Sequence, residues 1–302
     1  PDGTPVELTH GDPSLLGDGI DAVSALAHLR GLALHRGGAP SVVRGGTDLL
    51  PRAFADRLRG RIRLQAPVVQ VTHDAGGASV AYLDRGSNQT VRADYVVCAV
   101  PLPLLARMEI APPPEPERMR AIRETPQTSV TRIFLQFRRR FWEDERLCGY
   151  AETDTPIQMV NPASEGQAGE CAILETYLAG PRARAAAQLP PGERVRFALE
   201  HLERVFPGAA AHFEVGTSKD WDADPWARGA YPWWRPGQLL EFVPEAARAV
   251  GRVHFAGEHT TARPGWMEGA LRSGLRAARE VNEAAGTGHL SSLPAPPGAD
   301  RR

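Results

Sequence analysis

The segment that most constrains this fold is residues 253–282, VHFAGEHTTARPGWMEGALRSGLRAAREVN. A short apolar run ends at Gly257 and Glu258 and predicts a buried strand. A polar loop follows it. From about Trp266 onward, small residues recur at spacings of three and four, which is typical of a helix packed closely on a sheet. The segment therefore predicts a strand–loop–helix unit of an α/β fold.

The start of this helix lacks a side chain that would cap it. Pro264 and Gly265 stand where Ser, Thr, Asp or Asn would accept the first free N–H groups. The N–H groups of residues 266–268 therefore carry the positive end of the helix dipole, about half an elementary charge. An anion or an electron-rich carbonyl would complete them. Water, or a capping bond from Thr260 or Thr261, is the plain alternative.

Glu258 lies where the strand ends, and open α/β sheets bind ligands beyond the carboxyl ends of their strands. Its carboxylate could accept hydrogen bonds from ligand hydroxyls. A carboxylate on a surface turn explains the position equally well.

Composition excludes several classes of function. The chain has 302 residues, of which 42% are hydrophobic and 24% charged, as in a soluble globular protein of one large or two ordinary domains. A formal net charge of −1 gives no electrostatic argument for nucleic acid. No apolar run approaches the ~18–20 residues of a membrane span, so a cytoplasmic location is favoured. The three cysteines are far apart and predict neither a disulfide framework nor a metal site.

The remaining patterns predict a mixed α/β (α+β) fold with more than one lobe. We expect a helical segment at 1–40, one lobe from 41–105 and 246–288, a second lobe at 106–245 and a disordered tail at 289–302. Alternating residues predict a hairpin over 61–84, and TVRADYVVCAVP predicts one strand buried on both faces. Strong strands are expected in TSVTRIFLQFRRRFW and CAILETYLAG, and an amphipathic helix in PGERVRFALEHLERVFPG.

Several segments together carry a family resemblance. They are GGTDLLPRAFADRL, APVVQV, ADYVVCAVPLPLL, TRIFLQFRRRFWED, DPWARGAY, FAGE and GWMEGALRSGLRAARE. In this order they resemble the flavin-dependent amine oxidases, and most closely the L-amino-acid oxidases. The resemblance implies an FAD cofactor and a small amine or amino-acid substrate. The 41–105 and 246–288 lobe would be an incomplete Rossmann-like FAD-binding lobe, and the 106–245 lobe would bind substrate with a mixed sheet flanked by helices.

The resemblance also implies roles on the cofactor side. Val68 would use its backbone to hold the adenine side of FAD. Gly257 and Glu258 would meet the ribityl and diphosphate region. After Gly265, the N–H of Met267 would face the flavin C2 carbonyl and stabilise negative charge on the reduced ring.

On the substrate side, the resemblance places Trp221 beside the isoalloxazine. Tyr231 and Trp266 would be two aromatic walls flanking the substrate nitrogen, because aromatic faces suit an amine. The plain alternative for Tyr231 is a residue of the core or of an interface.

Three positions depart from the family pattern. Ala230 replaces the Cys that links FAD in covalent members, so FAD is expected to bind noncovalently. Arg132 replaces a Lys that holds a water near flavin N5. Arg cannot act as a base but could position a water or pair with a substrate carboxylate. Lys219 is interpreted as a surface residue. Asn161 or Gln158 stands where a Tyr hydroxyl often binds the substrate carboxylate.

The family's GxGxxG dinucleotide-binding turn has no counterpart in the sequence. Together with a first residue that is not Met, this predicts a processed subunit or a fragment, partnered by an N-terminal subunit or segment. The expected reaction is oxidation of the amine to an imine by hydride transfer to flavin N5, with oxygen reduced to peroxide. The alternatives are a related desaturase or protoporphyrinogen-type oxidase, and a non-catalytic remnant or interaction subunit.

Overall fold

The computed structural model describes residues 18–19, 22–34, 43–261 and 263–286. The chain forms two compact units. Unit 1 comprises residues 1–63 and 126–237, and unit 2 comprises residues 64–125 and 238–302. The mixed fold class predicted from the sequence is confirmed. The expected tail at 289–302 lies outside the described residues.

Unit 1 is built on a sheet of five strands. They are β6 (Val130–Phe137), β7 (Ala151–Glu152), β8 (Met159–Pro162), β9 (Ala172–Ala179) and β10 (Phe213–Asp220), in the spatial order β10-β6-β9-β8-β7. All four pairings are antiparallel. The strands expected in TSVTRIFLQF and CAILETYLAG are therefore present.

The helices of unit 1 are α1 (Ala25–Leu34), α2 (Leu49–Arg57), α5 (Gly180–Ala187), α6 (Pro191–Val205) and α7 (Ala209–His212). A 3-10 turn spans Phe141–Glu145. Alternation along β6 directs Ile133, Leu135 and Phe137, all fully buried, into a core shared with α5 and α6. The opposite face of β6 carries the half-buried Arg132 and Phe134. This second face carries the candidate substrate residues.

Unit 2 contains a four-stranded sheet in the order β3-β2-β1-β5. Its strands are β1 (Val68–Asp74), β2 (Gly77–Asp84), β3 (Ser87–Ala93) and β5 (Glu109–Ala111). The predicted hairpin is present, but its first strand begins at Val68 rather than at 61. The helices of this unit are α3 (Leu102–Leu105), α4 (Pro116–Glu124), α8 (Gln238–Ala247) and α9 (Met267–Ala284).

A separate two-stranded parallel sheet joins β4 (Val96–Cys98) to β11 (Val253–Phe255). The prediction of a single buried strand over TVRADYVVCAVP is therefore wrong. β3 is exposed along its whole length, and Val97 of β4 is 47% exposed. Residues 94–95 separate the two strands and let them join different sheets. The apolar residues around Val97 led to the prediction of a buried strand, but in the described part of the chain the Val97 side chain stays about half exposed.

Arg118 of α4 hydrogen-bonds to the C-terminal end of α8. The guanidinium is fully buried and donates to the backbone carbonyls of Glu245 (2.6 Å), Ala246 (3.3 Å) and Arg248. It also lies 3.7 Å from the ring centre of Phe255. Burial lowers the pKa of Arg118 to about 10. A buried cation here satisfies the free carbonyls of a helix end, which have no partner within the helix.

The unit boundaries fall at 125/126 and 237/238, whereas the sequence suggested a lobe change near 105 and 245. The proline cluster at 112–116 lies inside unit 2 and leads directly into α4. Residues 41–63 belong to unit 1. The assignment of FAD and substrate binding to separate lobes stays a prediction.

Candidate functional site

The loop between β11 and α9 is the cofactor-side candidate in unit 2. The helix begins at Met267, and Trp266 precedes it in an extended conformation. No side chain caps the start of α9. The side chains of Trp266 and Met267 are 51% and 50% exposed. The uncapped helix start predicted from the sequence is therefore present, with two large side chains beside it.

Glu258 turns its carboxylate back into this loop. Oε2 accepts a hydrogen bond from the Gly265 N–H at 2.6 Å. Burial raises the pKa of Glu258 to about 7, and the Gly265 bond opposes that rise. Glu258 and Gly265, both singled out in the sequence, are thus in direct contact. A carboxylate so poorly compensated would gain from hydroxyl donors on a ligand.

Gly257 is required by the backbone at the end of β11. Its φ is +123°, and a Cβ would lie 2.2 Å from Cε1 of His259. The Gly257 N–H donates to Ser273 Oγ of α9 at 2.7 Å, and Ser273 in turn donates to the Ala270 carbonyl at 2.6 Å. Ser273 therefore ties the strand end to the helix. The sequence predicts a packed helix of small residues here, and Ser273 is one of them, but it gives no sign of this hydrogen-bonding role.

Val68 lies apart from this loop in the sequence, as the first residue of β1. It is 42% exposed and pairs with Tyr82 of β2. A bulge between Val68 and Gln70 interrupts the pairing there. The adenine-holding role assigned to its backbone stays a prediction.

In unit 1, one face of the sheet carries a cross-strand row. Lys219 of β10 is paired with Arg132 of β6, and Arg132 is paired with Tyr177 of β9. Side chains opposite each other on neighbouring strands lie on the same face of a sheet. Lys219 is therefore a neighbour of Arg132 on this face. Its side chain is 42% exposed, and its interpretation as a surface residue stays a prediction.

Arg132 is held by a carboxylate that sequence reasoning did not single out. Its Nε donates to Oε1 of Glu175, and its Nη2 donates to Oε2 at 2.5 Å. The Glu175 side chain is only 3% exposed, whereas that of Arg132 is 36% exposed. These hydrogen bonds raise the pKa of Arg132, against the effect of burial. The guanidinium therefore stays charged, and the bonds to Glu175 leave it fewer N–H groups for any substrate.

Tyr231 meets the row through Tyr177. The two phenol oxygens are 3.5 Å apart, and burial raises the pKa of both hydroxyls. The Arg132 guanidinium carbon lies 5.8 Å from the Tyr177 ring centre. Arg132 and Tyr231, predicted separately, are thus linked by one residue that was not predicted. Trp266 belongs to unit 2, so its pairing with Tyr231 as two aromatic walls stays a prediction.

Trp221 follows β10 and contacts the lysine of the row. The Lys219 ammonium is 4.9 Å from the Trp221 ring centre and forms an ion pair with Asp224. The Trp221 N–H donates to the Val130 carbonyl at 3.1 Å, and its carbonyl accepts from Gly229. The backbone therefore fixes Trp221 at the end of the sheet.

Gln158 is buried, and its side chain hydrogen-bonds to the backbone of β9. It is 1% exposed, and its Oε1 accepts the Ala179 N–H at 2.8 Å. Its expected role as a substitute for a substrate-binding hydroxyl is therefore not supported by its position. Asn161, the other candidate, is paired with Glu175 across β8 and β9.

Glu175 could have been suspected from the sequence. It interrupts the apolar run of β9, and a carboxylate within a buried strand needs a charged or hydrogen-bonding partner. The sequence did not identify that partner, which lies 43 positions away.

The described residues contain neither a candidate metal site nor a helix that could span a membrane. Among them, no group of His, Cys, Asp and Glu is arranged to hold a metal ion. None of the helices within 18–19, 22–34, 43–261 and 263–286 is both long and apolar enough to cross a membrane. The cytoplasmic location stays a prediction.

The family model for flavin containing amine oxidoreductase matches residues 9–282. The L-amino-acid oxidase of Mus musculus is 33% identical over 258 residues, covering 82% of this chain and 40% of that protein. The L-amino-acid oxidase of Siganus canaliculatus is 32% identical over 248 residues, covering 80% of this chain and 47% of that protein.

A solved structure shows the same fold. Cyclohexylamine oxidase from Brevibacterium oxydans matches with a TM-score of 0.80 at 23% identity, covering 90% of this chain and 62% of the other. The chain spans about half or less of the length of the two L-amino-acid oxidases it matches. The resemblance found in the sequence, including the FAD cofactor class, is confirmed, and the chain belongs to the flavin containing amine oxidoreductase family.

Proposed function

We propose that this chain forms the flavin-ring and substrate part of an FAD-dependent oxidase. The substrate is a primary or secondary amine or an L-amino acid, which is oxidised to the imine. FAD, held noncovalently at the Gly257–Met267 loop, would supply the hydride acceptor for this oxidation, and oxygen would serve as the final electron acceptor and be reduced to hydrogen peroxide. An N-terminal segment or subunit completes the enzyme.

The observation that carries this proposal is the loop from Gly257 to Met267. It combines a helix start without a side-chain cap, a poorly compensated carboxylate and a strand end at positive φ. The N–H of Met267, in the first turn of α9, suits the electron-rich carbonyl edge of a flavin ring, and Glu258 suits ribityl hydroxyls. The residues present therefore fit the cofactor.

The noncovalent mode follows from residue 230. Ala230 has no nucleophilic atom, so it cannot form the thioether that a Cys would form. The Ala230 N–H donates to the Thr128 carbonyl at 3.0 Å, which fixes the backbone just before Tyr231. Denaturation is accordingly expected to release all of the flavin from the protein.

The substrate side is proposed to be the row formed by Lys219, Arg132 and Tyr177, with Tyr231 beside it. Two phenol hydroxyls with raised pKa values stay protonated near neutral pH and can donate hydrogen bonds. Arg132 stays charged and cannot take a proton from the substrate. These residues would orient the amine and exclude water from it, rather than act as a base.

Absorbance spectroscopy of the purified protein tests the proposal. The chain would be produced alone and together with an N-terminal flavin-binding lobe, and flavin would be read between about 350 and 500 nm. Loss of this absorbance on anaerobic addition of amines or L-amino acids would identify the substrate class. Flavin that no amine or amino acid reduces would favour the desaturase-type alternative, and no flavin in either sample would favour a non-catalytic chain.

A matched pair of substitutions locates the cofactor. Glu258→Gln should lower flavin retention, because the amide no longer offers a charged acceptor to ribityl hydroxyls. Glu283→Gln, at an exposed position of α9, should leave retention unchanged. Equal retention in both variants would place FAD elsewhere.

A further inference from the structure

Both cations of the row in unit 1 already have an anion of their own. Arg132 donates to Glu175 through two nitrogens, Nε and Nη2, the second at 2.5 Å. The Lys219 ammonium forms an ion pair with Asp224. A bidentate pair between a guanidinium and a carboxylate is among the strong hydrogen-bonded arrangements in proteins. The row therefore offers a substrate two positive groups whose charges are balanced within the chain.

The burial of Glu175 makes its bond to Arg132 costly to break. The Glu175 side chain is 3% exposed, whereas that of Arg132 is 36% exposed. A substrate carboxylate that drew Arg132 away would leave Glu175 buried without its charged partner, which is strongly unfavourable. A substrate carboxylate that bound Arg132 beside Glu175 would place two like charges close together. Both routes disfavour a substrate that carries a carboxylate.

The residues around the Arg132–Glu175 pair are aromatic or uncharged. Phe134 and Asn161 lie directly opposite Glu175 on the neighbouring strands and therefore share its face of the sheet. The guanidinium carbon of Arg132 is 5.1 Å from the ring centre of Phe134 and 5.8 Å from that of Tyr177. Aromatic faces and phenol oxygens suit an amine or an ammonium group rather than an anion.

We propose that Glu175 determines the substrate class of this face by binding Arg132, so that the face takes an amine without a carboxylate in preference to an L-amino acid. The amine nitrogen would contact the rings and phenol oxygens of Tyr177 and Tyr231. The inference rests on the proposed function in taking this face as the substrate side. It narrows that function, which includes both amines and amino acids.

Pairs of ligands that differ only in the carboxylate test this selectivity. Phenethylamine is compared with L-phenylalanine, and 3-methylbutylamine with L-leucine. Dissociation constants for the full chain would be measured by calorimetry, with and without added FAD. Each amine should bind at least about tenfold more tightly than its amino acid. Equal binding within the pairs, tighter binding of the amino acids, or binding of none of the four ligands would overturn the proposal.

Glu175→Gln should remove the preference, because it leaves the charge of Arg132 available to an incoming carboxylate. The dissociation constant of each amino acid, divided by that of its amine, should fall at least about tenfold. A purely structural effect would weaken both ligands of a pair together and leave this ratio unchanged. An unchanged ratio in the folded variant, checked by circular dichroism, would therefore overturn the role of Glu175 in specificity.

Asp224→Asn is a second variant that keeps the proposal testable if Glu175→Gln does not fold. It releases the charge of Lys219 on the same face, and the amide keeps an oxygen for the Trp226 N–H, which Asp224 accepts at 2.8 Å. Because Lys219 is 42% exposed, the ratio should fall by only about threefold. No fall would contradict the premise that balanced cations exclude a carboxylate.

Asp144→Asn is the matched control, since it makes the same change in an exposed ion pair away from this face. Asp144 binds Arg139, which follows the end of β6. The ratio for this variant should stay within about twofold of that for the unchanged chain. A fall equal to that of Glu175→Gln would overturn the proposal.

Failure of this inference and failure of the proposed function give different results. Equal binding of amines and amino acids, with a flavin that both reduce, would overturn the inference and leave the oxidase function intact. Preferential binding of amines by a chain that never takes up flavin would support the selectivity of this face and count against the oxidase.

Discussion

Arg132 and Glu175 show how one substitution relative to the family pattern is accommodated. Arg132 stands where the resemblance leads one to expect a lysine, and the buried carboxylate of Glu175 binds it through two N–H groups. A carboxylate with 3% exposure needs such a partner, because burial of an unpaired charge is costly. The Arg132–Glu175 pair therefore contributes to the stability of the sheet, and it is also part of the candidate site.

Replacing Glu175 measures that contribution. Glu175→Gln leaves the guanidinium without its charged partner and should lower the free energy of unfolding by about 2 kcal/mol. This is below the range for fully buried pairs, because about a third of Arg132 is exposed. Urea denaturation followed by circular dichroism gives the value. Glu214→Gln on β10 is the control and should change stability by less than about 0.5 kcal/mol. Equal effects in the two variants would contradict the special role of Glu175.

The loop after β11 contains two groups whose pKa values move in opposite directions. Burial raises the pKa of Glu258 from 4.5 to about 7. Burial, with Arg118 and Arg276 nearby, lowers the pKa of His259 from 6.5 to about 4. Protonation of Glu258 therefore adds to the free energy of unfolding. This contribution is complete below pH 4.5 and is lost as the pH rises through 7. His259 favours the folded state above pH 6.5, and this is lost as pH falls through 4.

These two dependences should nearly cancel between pH 4.5 and 6.5 in the flavin-free chain. Glu258→Gln removes one of them, so stability should then rise with pH across this window, by up to about 3 kcal/mol. His259→Gln should give the opposite slope. The measurement is chemical denaturation at a series of pH values, with each variant compared to the unchanged chain. Parallel curves for all three proteins would refute the cancellation.

The C-terminal end of α8 depends on Arg118, which supplies donors to three backbone carbonyls. Arg118→Met keeps apolar volume but removes every donor, and we expect a loss of about 3 kcal/mol. Arg120→Met on the same helix is the control. Arg120 forms a half-exposed ion pair with Glu241 and should cost less than about 1 kcal/mol. Thermal unfolding distinguishes them, and similar melting temperatures would count against the carbonyl-binding role.

Elements with a strong repeating pattern were predictable from the sequence. The alternation in β6 and the amphipathic spacing in α6 each indicate that one side of the element is buried. Neighbouring residues were therefore enough to predict both elements. The single strand predicted over residues 90–101 was wrong, because local apolar content cannot show where a strand changes sheet. The glycine at 257 and the uncapped start of α9 were also visible locally, since both are properties of neighbouring residues.

Contacts across the sheet were not predictable in the same way. Arg132 and Glu175 meet only because β6 and β9 pair in one particular register. Lys219 became a neighbour of Arg132 through the register of β10, not through any nearby residue. A single sequence shows that strands exist but does not fix their order or register, and therefore the sheet side of the candidate site was only partly anticipated.

Each of the two units has its own apolar core, as expected of separately stable domains. Leu174→Ala opens a cavity in the core of unit 1 and should destabilise that unit by about 3 kcal/mol. Amide exchange should then accelerate in β6 and β9, while β1 and β2 keep their protection. Val71→Ala in unit 2 is the reciprocal change and should show the reverse pattern. Uniform acceleration in either variant would mean that the chain unfolds as one cooperative body.

Lys219 is a site at which the chain can be labelled chemically. It is the only lysine in the sequence, so an amine-reactive dye has two targets, this side chain and the α-amino group. The ammonium is paired with Asp224 and lies over the Trp221 ring. The rate of labelling therefore reports how often this contact opens, and indole quenching of the attached dye reports whether it has closed again. One reagent can follow the candidate substrate face without any engineered position.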